Sequence, residues 1–255
     1  MQIRLLGAVT VKDDNRTHAL RSQSARTLLA LTAWRCNEYI SDEKAIGDIW
    51  GDEPPQHARD ALYTCASRIR RTLSHAAGGV QQAILTRRRG GYCLHIDPDQ
   101  IDLHQFRALV SRARTALHSA NDLLAIEDYE SAQALWSGAL MADINSPWAA
   151  RARITAGQEW LSAETERISA ALRLQRHSEV IPRLYQLADD YPLDETIASM
   201  LMLALHQSGR TAEALASFSR IRREMIMQLG DGPGPELRSL HHQVLRRQNS
   251  SFAVG

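Results

Sequence analysis

The sequence of 255 residues predicts a mixed fold, in which an N-terminal α/β domain is followed by an all-α domain of helical repeats. Three observations support this prediction. Apolar residues alternate with polar ones near the N-terminus and again near residue 90, which is typical of strands. Between these segments, and throughout the chain after residue 100, apolar residues recur at helical spacing. Hydrophobic residues make up 44% of the chain and charged residues 23%, as in ordinary folded proteins.

The N-terminal segment is predicted to form one half-buried strand over residues 2–11. The residues that share its apolar face are Ile3, Leu5, Val9 and Val11. Asp13-Asp14-Asn15 is a turn signal, and a short return strand is predicted near residues 18–20.

Three helices follow. The first is predicted over residues 22–35, and the second begins after the N-cap residue Ser41 and stops at Gly51. The third covers residues 56–75 and is terminated by Gly78-Gly79. Asp42 and Glu43 lie in the first turn of the second helix, where acidic side chains are favourable, and they support its predicted start.

A β-hairpin completes the first domain. Residues 83–87 and 92–96 are predicted strands, joined by a turn at residues 88–91. Asp97-Pro98-Asp99 is the predicted domain boundary. The predicted divisions are a first domain at 1–98, a second domain at 99–249 and a tail at 250–255.

The second domain is predicted to be helical throughout and to contain a repeat. The segments with helical spacing are 106–117, 135–136, 160–172, 180–187, 201–205, 215–225 and 237–245. Four residues recur 33 positions later: Ala171, Arg176, Ile181 and Tyr185 as Ala204, Gly209, Ala214 and Phe218. This pattern resembles a tetratricopeptide repeat and predicts stacked helical hairpins that bind other proteins.

The net charge of +1 conceals a basic segment. Residues 1–98 carry 14 Lys and Arg against 10 Asp and Glu, and residues 56–96 carry seven arginines with one acid, Asp60. A local basic cluster in a nearly neutral chain indicates a surface that binds a polyanion.

Several classes of function are disfavoured. Neither Lys12 nor Lys44 follows a glycine, which excludes a Walker A phosphate loop, and no GxSxG, HExxH or GxGxxG motif occurs. The three widely spaced cysteines argue against a zinc site and a disulfide framework. We therefore predict no enzyme activity, no cofactor and no metal. Without an apolar run of 18 residues or a secretory signal, we expect a cytoplasmic protein with no membrane segment.

The third helix and the hairpin carry the residue types that bind DNA. A major groove admits one helix, and an arginine can bind guanine through two hydrogen bonds while others neutralise phosphates. The predicted DNA-binding residues on the helix are Arg59, Tyr63, Thr64, Ser67, Arg68, Arg70 and Arg71. The tip of the hairpin carries Arg87, Arg88 and Arg89, which could enter a narrow minor groove. Under the alternative hypothesis, the basic character of this surface is incidental and has no function in binding DNA. The chain is then a helical-repeat scaffold for protein interactions.

Motifs along the whole chain resemble a known family. In the first domain they are Ile49-Trp50-Gly51, Ser67-Arg68-Ile69-Arg70 and Gly90-Gly91-Tyr92, which look like a winged helix-turn-helix domain of the OmpR/PhoB type. In the second they include Leu135-Trp136-Ser137-Gly138, Pro192-Leu193-Asp194-Glu195 and Pro233-Gly234-Pro235-Glu236-Leu237, which resemble the bacterial transcriptional activator domain. Together they resemble the small Streptomyces antibiotic regulatory proteins over residues 1–247.

This resemblance implies an activator of a secondary-metabolite gene cluster. Such proteins bind direct repeats near promoters, as dimers on the DNA, and recruit RNA polymerase holoenzyme with its sigma factor. Arg68 and Arg70 match DNA-contacting arginines of the family, and Trp50 matches a position that packs on the sugar-phosphate backbone. Pro54-Pro55 lie in the loop that faces polymerase in relatives. The family would place the chain on nucleoid DNA.

Three features depart from the family pattern: Asp60, the three arginines of the hairpin tip, and the alanine that follows Gly138. Asp60 lies where relatives often carry a neutral or basic residue, and its carboxylate would repel phosphate. We expect Asp60 to pair with a nearby arginine.

Overall fold

A computed structural model describes residues 1–13, 16–77, 83–88 and 90–252. It confirms the predicted fold class. The chain forms two compact units, one made of 1–115 and 127–163 and the other of 116–126 and 164–255. The compact units do not follow the predicted domain boundary near residue 98, since residues of the predicted second domain contribute to the first unit. The domain boundary itself stays a prediction.

The first sheet corrects the prediction of a single N-terminal strand. Three strands run antiparallel in the order β1 (Gln2–Arg4), β2 (Thr10–Lys12) and β3 (Thr17–Ala19). The alternating residues from Ile3 to Val11 are buried as expected, but the chain bends between β1 and β2. The predicted turn at 13–15 lies partly outside the described residues.

Long-range hydrogen bonds explain the bend. The N–H groups of Ser137, Met141 and Ala142 donate to the backbone oxygens of Leu6, Leu5 and Gly7, at 2.9, 3.0 and 3.2 Å. The chain between β1 and β2 therefore pairs with a distant segment of the same unit. A local alternation pattern contains no information about such a partner.

Three helices follow the first sheet, as predicted. Helix α1 (Gln23–Trp34) begins at Ser22, whose hydroxyl accepts a hydrogen bond from the N–H of Ala25. Helix α2 (Asp42–Trp50) begins at Ser41, whose hydroxyl accepts from the N–H of Lys44. These caps satisfy N–H groups that have no partner within the helix.

Helix α3 (Ala58–Ala76) is amphipathic and packs its apolar face against α1. Its buried residues are Leu62, Cys65, Ala66, Ile69, Leu73 and Ala76. The predicted helix terminator, Gly78-Gly79, lies outside the described residues.

The hairpin is part of a second sheet with the strand order β4-β6-β5. Strand β5 (Ala83–Arg88) pairs with β6 (Gly91–Ile96), as predicted, and β6 pairs in turn with β4 (Ile40–Ser41). Two residues are too few to produce an alternation pattern, so β4 was not predicted. Its pairing fixes the start of α2 beside the hairpin.

Replacing Gly91 by alanine should loosen this sheet. A Cβ atom at Gly91 would lie 2.3 Å from the backbone oxygen of Ile40, so β4 and β6 would have to separate. We expect the variant to lose about 1–3 kcal/mol of unfolding free energy, as in other overpacked sites. Urea unfolding followed by tryptophan fluorescence measures this loss.

The matched control for that substitution is Gly47→Ala in α2. A Cβ atom there would meet nothing within 4 Å. Alanine also favours a helix interior by roughly 0.5–1 kcal/mol. A Gly91→Ala variant as stable as wild type would contradict the inferred close approach.

The remaining elements are helical, as predicted. A 3-10 turn (Pro98–Gln100) precedes α4 (Asp102–His118), α5 (Asp122–Ala134) and α6 (Pro147–Arg173). The prediction that Leu135-Trp136 is helical was wrong, because α5 ends at Ala134. The N–H groups of these two residues bond only to carbonyls three residues earlier, which closes a turn after the helix.

The second compact unit contains α7 (His177–Asp190), α8 (Glu195–Gln207), α9 (Thr211–Leu229) and α10 (Pro235–Phe252). One apolar cluster joins α8, α9 and α10. Its buried members are Ala198, Met202, Phe218, Ile221, Met225, Leu237 and Val244.

The structure corrects the register of the predicted repeat from 33 to 34 residues. The N–H of Arg176 donates to the oxygen of Ala171, and that of Arg210 donates to the oxygen of Leu205. The arginines of both turns also form ion pairs three residues ahead, to Glu179 and Glu213. Equivalent positions of the two turns are thus 34 residues apart, the tetratricopeptide period.

Candidate nucleic-acid interface

The exposed face of α3 carries most of the predicted DNA-binding side chains. Tyr63, Thr64, Ser67, Arg68 and Arg71 are all exposed there. Thr64 lies three and four residues before Ser67 and Arg68, and these lie four and three residues before Arg71, so the four form a continuous stripe on the helix. The buried face opposite them fixes the helix against α1, which leaves the stripe free to meet a ligand.

The arginine side chains of this stripe are available to bind an anion. Arg68 and Arg71 make no ion pair or hydrogen bond with any residue that the structure describes. The hydroxyl of Thr64 instead donates to the backbone oxygen of Asp60 at 3.0 Å. Two unpaired guanidinium groups one helical turn apart suit a ligand with several negative charges.

Arg70 has a different environment from its two arginine neighbours. Its side chain is half-buried, and its Nε donates to the backbone oxygen of Leu85 in β5 at 2.8 Å. This bond joins α3 to the hairpin. The structure therefore places Arg70 between the two elements rather than on the exposed stripe.

The hairpin tip contains one paired and one unpaired arginine among its described residues. Nη2 of Arg87 donates to Oδ2 of the buried Asp42 at 3.0 Å, and the guanidinium carbon lies 5.4 Å from the centre of the Tyr92 ring. Arg88 is exposed and has no partner in the described part of the chain. Arg89 lies outside the described residues.

The remaining predicted residues lie at the start of α3 and before it. Arg59 donates to Oε1 of Glu43 at 2.8 Å, but both side chains are 70% exposed, so this pair is easily exchanged for another anion. Trp50 is half-buried at the end of α2, and Pro54 and Pro55 are exposed in the loop that follows.

The expectation that Asp60 pairs with an arginine was wrong. Among the described residues, the Asp60 carboxylate instead lies near the imidazole of His57, with 4.0 Å between His57 Nδ1 and Asp60 Oδ2. The two residues are three apart at the first turn of α3, whereas Arg59 turns toward Glu43. The Asp60 carboxylate is 88% exposed, so solvent screens its charge.

A cleft beside the exposed stripe contains an arginine that sequence reasoning missed. Arg21, Arg68 and Arg71 border a cleft of about 440 Å³, together with Ser22 and Thr72. We call it the arginine cleft. Arg21 precedes the N-cap of α1, and only the packing of α1 on α3 brings it to this surface. Its sole signal in the sequence is a basic residue next to a helix start.

Two further features bear on other classes of function. No group of three or more His, Cys, Asp and Glu side chains is arranged to hold a metal ion in the residues that the structure describes. Across the same residues, no helix has both the length and the apolar character to cross a membrane.

Comparisons with known proteins agree with this picture. A bacterial transcriptional activator domain matches residues 101–245. Regulatory protein DnrI of Streptomyces peucetius is 28% identical over 96% of this chain and 92% of its own length. Transcriptional regulator RedD of Streptomyces coelicolor is 32% identical over 96% of this chain and 70% of its own length.

A solved structure extends the comparison to the fold. Mycobacterium tuberculosis EmbR, determined in complex with a low-affinity phosphopeptide, superposes with a TM-score of 0.90 at 25% identity. The match covers 96% of this chain and 65% of that chain. DnrI is a regulatory protein and RedD a transcriptional regulator. The chain belongs to the Streptomyces antibiotic regulatory protein family, whose members pair an OmpR-like winged helix with a bacterial transcriptional activator domain.

Proposed function

We propose that this chain activates transcription of a secondary-metabolite gene cluster by binding direct repeats near promoters. The observation that carries the proposal is the exposed stripe of α3, where Arg68 and Arg71 have no partner among the described residues and stand beside short hydroxyl side chains. Helix α3 would lie in the major groove and the hairpin would meet the flanking backbone. Membership of a family of transcriptional regulators supports this use of the surface.

The test is a fluorescence anisotropy titration on promoter fragments that adjoin the gene. Each fragment is compared with unrelated DNA of equal length at two salt concentrations, and footprinting then locates the repeats. We expect a specific affinity at least about 10³-fold above the non-specific one. Equal, salt-sensitive binding to both DNAs would instead favour the scaffold function, with the arginines acting as a simple electrostatic patch.

Two further parts of the proposal concern assembly. We propose that two copies bind the direct repeats side by side.

We also propose that the loop containing Pro54 and Pro55 meets RNA polymerase holoenzyme. The exposure of both prolines supports a contact with the polymerase. Replacing both by alanine should leave promoter affinity unchanged while lowering activation of transcription by purified holoenzyme. Loss of DNA affinity in this variant would place the loop on the DNA instead.

The two described arginines of the hairpin tip should respond differently to substitution. Arg88→Ala should lower the slope of log affinity against log salt by about 0.9, the value for one lost phosphate contact. Arg87→Ala should change this slope less and reduce stability more, because it leaves the buried Asp42 carboxylate without its cation. Salt-dependent titrations and urea unfolding of both variants distinguish the two roles. Equal slopes in the two variants would contradict the assignment.

A further inference from the structure

The arginine cleft contains an unusual excess of positive charge. Arg21, Arg68 and Arg71 border it, and among the residues that the structure describes no acidic side chain does. None of the three forms an ion pair or a side-chain hydrogen bond with a residue that the structure describes. Like charges that converge without a counter-charge repel one another, and a bound anion relieves this repulsion.

The position of Arg21 is fixed by its neighbours. Nη1 of Arg26 donates to the backbone oxygens of Leu20 and Arg21, at 2.7 and 3.2 Å. The same guanidinium is held by Asp143, through an ion pair of 2.8 Å. Ser22 then starts α1, so the backbone of Arg21 is held directly beside α3.

The neighbouring polar groups also suit a tetrahedral anion. Thr72 borders the cleft and adds a hydroxyl group to the guanidinium donors, whereas the Ser22 hydroxyl, also at the border, caps α1. Arginine presents a planar fork of N–H groups that binds two oxygens of one phosphate. A phosphodiester carries two such oxygens and one charge.

We propose that Arg21 and Arg71 clamp one phosphodiester of the DNA backbone, at the side of α3 that faces α1. This inference rests on the proposed function and adds a contact from an element outside the helix and hairpin. The stripe of α3 leads directly into the cleft, since Arg68 belongs to both. A duplex that meets the stripe therefore brings its sugar-phosphate backbone to Arg21. The clamp would fix the register of the protein on DNA without reading a base.

The experiment compares wild type with Arg21→Ala and with the control Arg223→Ala. Arg223 is an exposed arginine of α9, in the second compact unit, and its removal changes the net charge equally. Affinity for the footprinted promoter site and for unrelated DNA is measured across a salt series. We expect Arg21→Ala to weaken binding to both DNAs by about fivefold near 0.15 M salt and to lower the salt slope by about 0.9. Arg223→Ala should change neither.

A second measurement identifies the phosphate itself. Single methylphosphonate substitutions in the promoter site each remove one backbone charge. The clamped phosphate is the one whose neutralisation weakens wild type more than it weakens Arg21→Ala, because Arg71 still holds that phosphate in the variant. If every position affects both proteins equally, the clamp is disproved.

The outcomes separate this proposal from the proposed function. Specific promoter binding that Arg21→Ala leaves intact, with an unchanged salt slope, would overturn the clamp alone. Absence of specific binding by wild type would overturn the proposed function, and the clamp with it. A free-phosphate site is the third outcome, and it also overturns the clamp. In that case inorganic phosphate would raise the thermal midpoint of wild type above that in chloride of equal ionic strength, and Arg21→Ala would lose this rise without losing DNA affinity.

Discussion

Replacing Arg68 by alanine should weaken binding to the promoter site by about 1–3 kcal/mol and relax discrimination at one base pair. Arg68 is exposed on the stripe of α3 and has no partner among the described residues. Its removal therefore leaves no buried group unsatisfied, and we expect a change in unfolding free energy within about 0.5 kcal/mol. A loss of affinity can then be assigned to the DNA contact rather than to unfolding.

The measurement is a titration of wild type and variant against the footprinted site and its single base-pair substitutions. The matched control is Arg223→Ala, which removes the same charge from α9 and should bind like wild type. If Arg68→Ala lost equal affinity for every sequence, Arg68 would be a phosphate contact. Unchanged affinity would remove Arg68 from the interface.

Arg70→Ala provides a useful contrast to that experiment. Its Nε bond to the oxygen of Leu85 holds the hairpin against α3. Loss of this bond should affect the hairpin and thereby the contacts of Arg88. In sequence the two arginines look equivalent, because each lies in the same short motif. Their different environments follow from a helical rotation of about 200° between positions two residues apart.

Local signals predicted most of the fold correctly. Ser22 and Ser41 each precede a helix and do accept the hydrogen bond that a cap requires. The apolar face of α3, from Leu62 to Leu73, is buried as its periodicity predicts. These features depend on residues within one helical turn of each other, so the sequence contains the necessary information.

The parts that could not be predicted depend on contacts far apart in sequence. The bend after β1 requires partners at residues 137–142, and the pairing of Arg87 requires Asp42 on another element. The arginine cleft requires α1 and α3 to pack together before Arg21 joins the other two arginines. A basic residue next to a helix start is common, and nothing local marks this one as part of an interface.

The buried carboxylate of Asp102 also makes contacts that could not be predicted from the sequence. Oδ1 accepts hydrogen bonds from the N–H groups of Leu5 and Leu103, both at 2.8 Å, and Oδ2 accepts from Leu6 at 3.0 Å. The side chain is 1% exposed. It thus joins the first turn of α4 to the bend after β1. The exposed stripe of α3, which we propose binds DNA, belongs to the same compact unit.

Replacing Asp102 by alanine should lower the unfolding free energy by about 3 kcal/mol or more. The substitution leaves three buried N–H groups without an acceptor, and each costs roughly 1–3 kcal/mol, offset in part by removal of a buried charge. All five tryptophans lie in the first compact unit, so urea unfolding followed by tryptophan fluorescence reports on this unit. The control is Asp99→Asn, at an exposed position, which should change stability by less than about 0.5 kcal/mol.

The pH dependence of the Asp102→Asn variant tests the balance between burial and hydrogen bonding. Burial raises the pKa of the Asp102 carboxyl above its ordinary value of 3.8, although the backbone N–H groups of Leu5, Leu6 and Leu103 lower it. The folded state therefore binds this proton more tightly than the unfolded state does. The resulting stabilisation is complete below the unfolded pKa and is lost as pH rises through the folded pKa.

Asparagine has no such proton, so the stability advantage of wild type over Asp102→Asn should shrink as pH rises from 4 toward 7. All other groups titrate in both proteins, so their contributions cancel in this difference. An advantage that grew with pH would mean that the three N–H donors outweigh burial and hold the carboxylate ionised. In either case the difference measures how strongly one buried carboxylate holds the start of α4 to the bend after β1, in the unit that presents the stripe proposed to bind DNA.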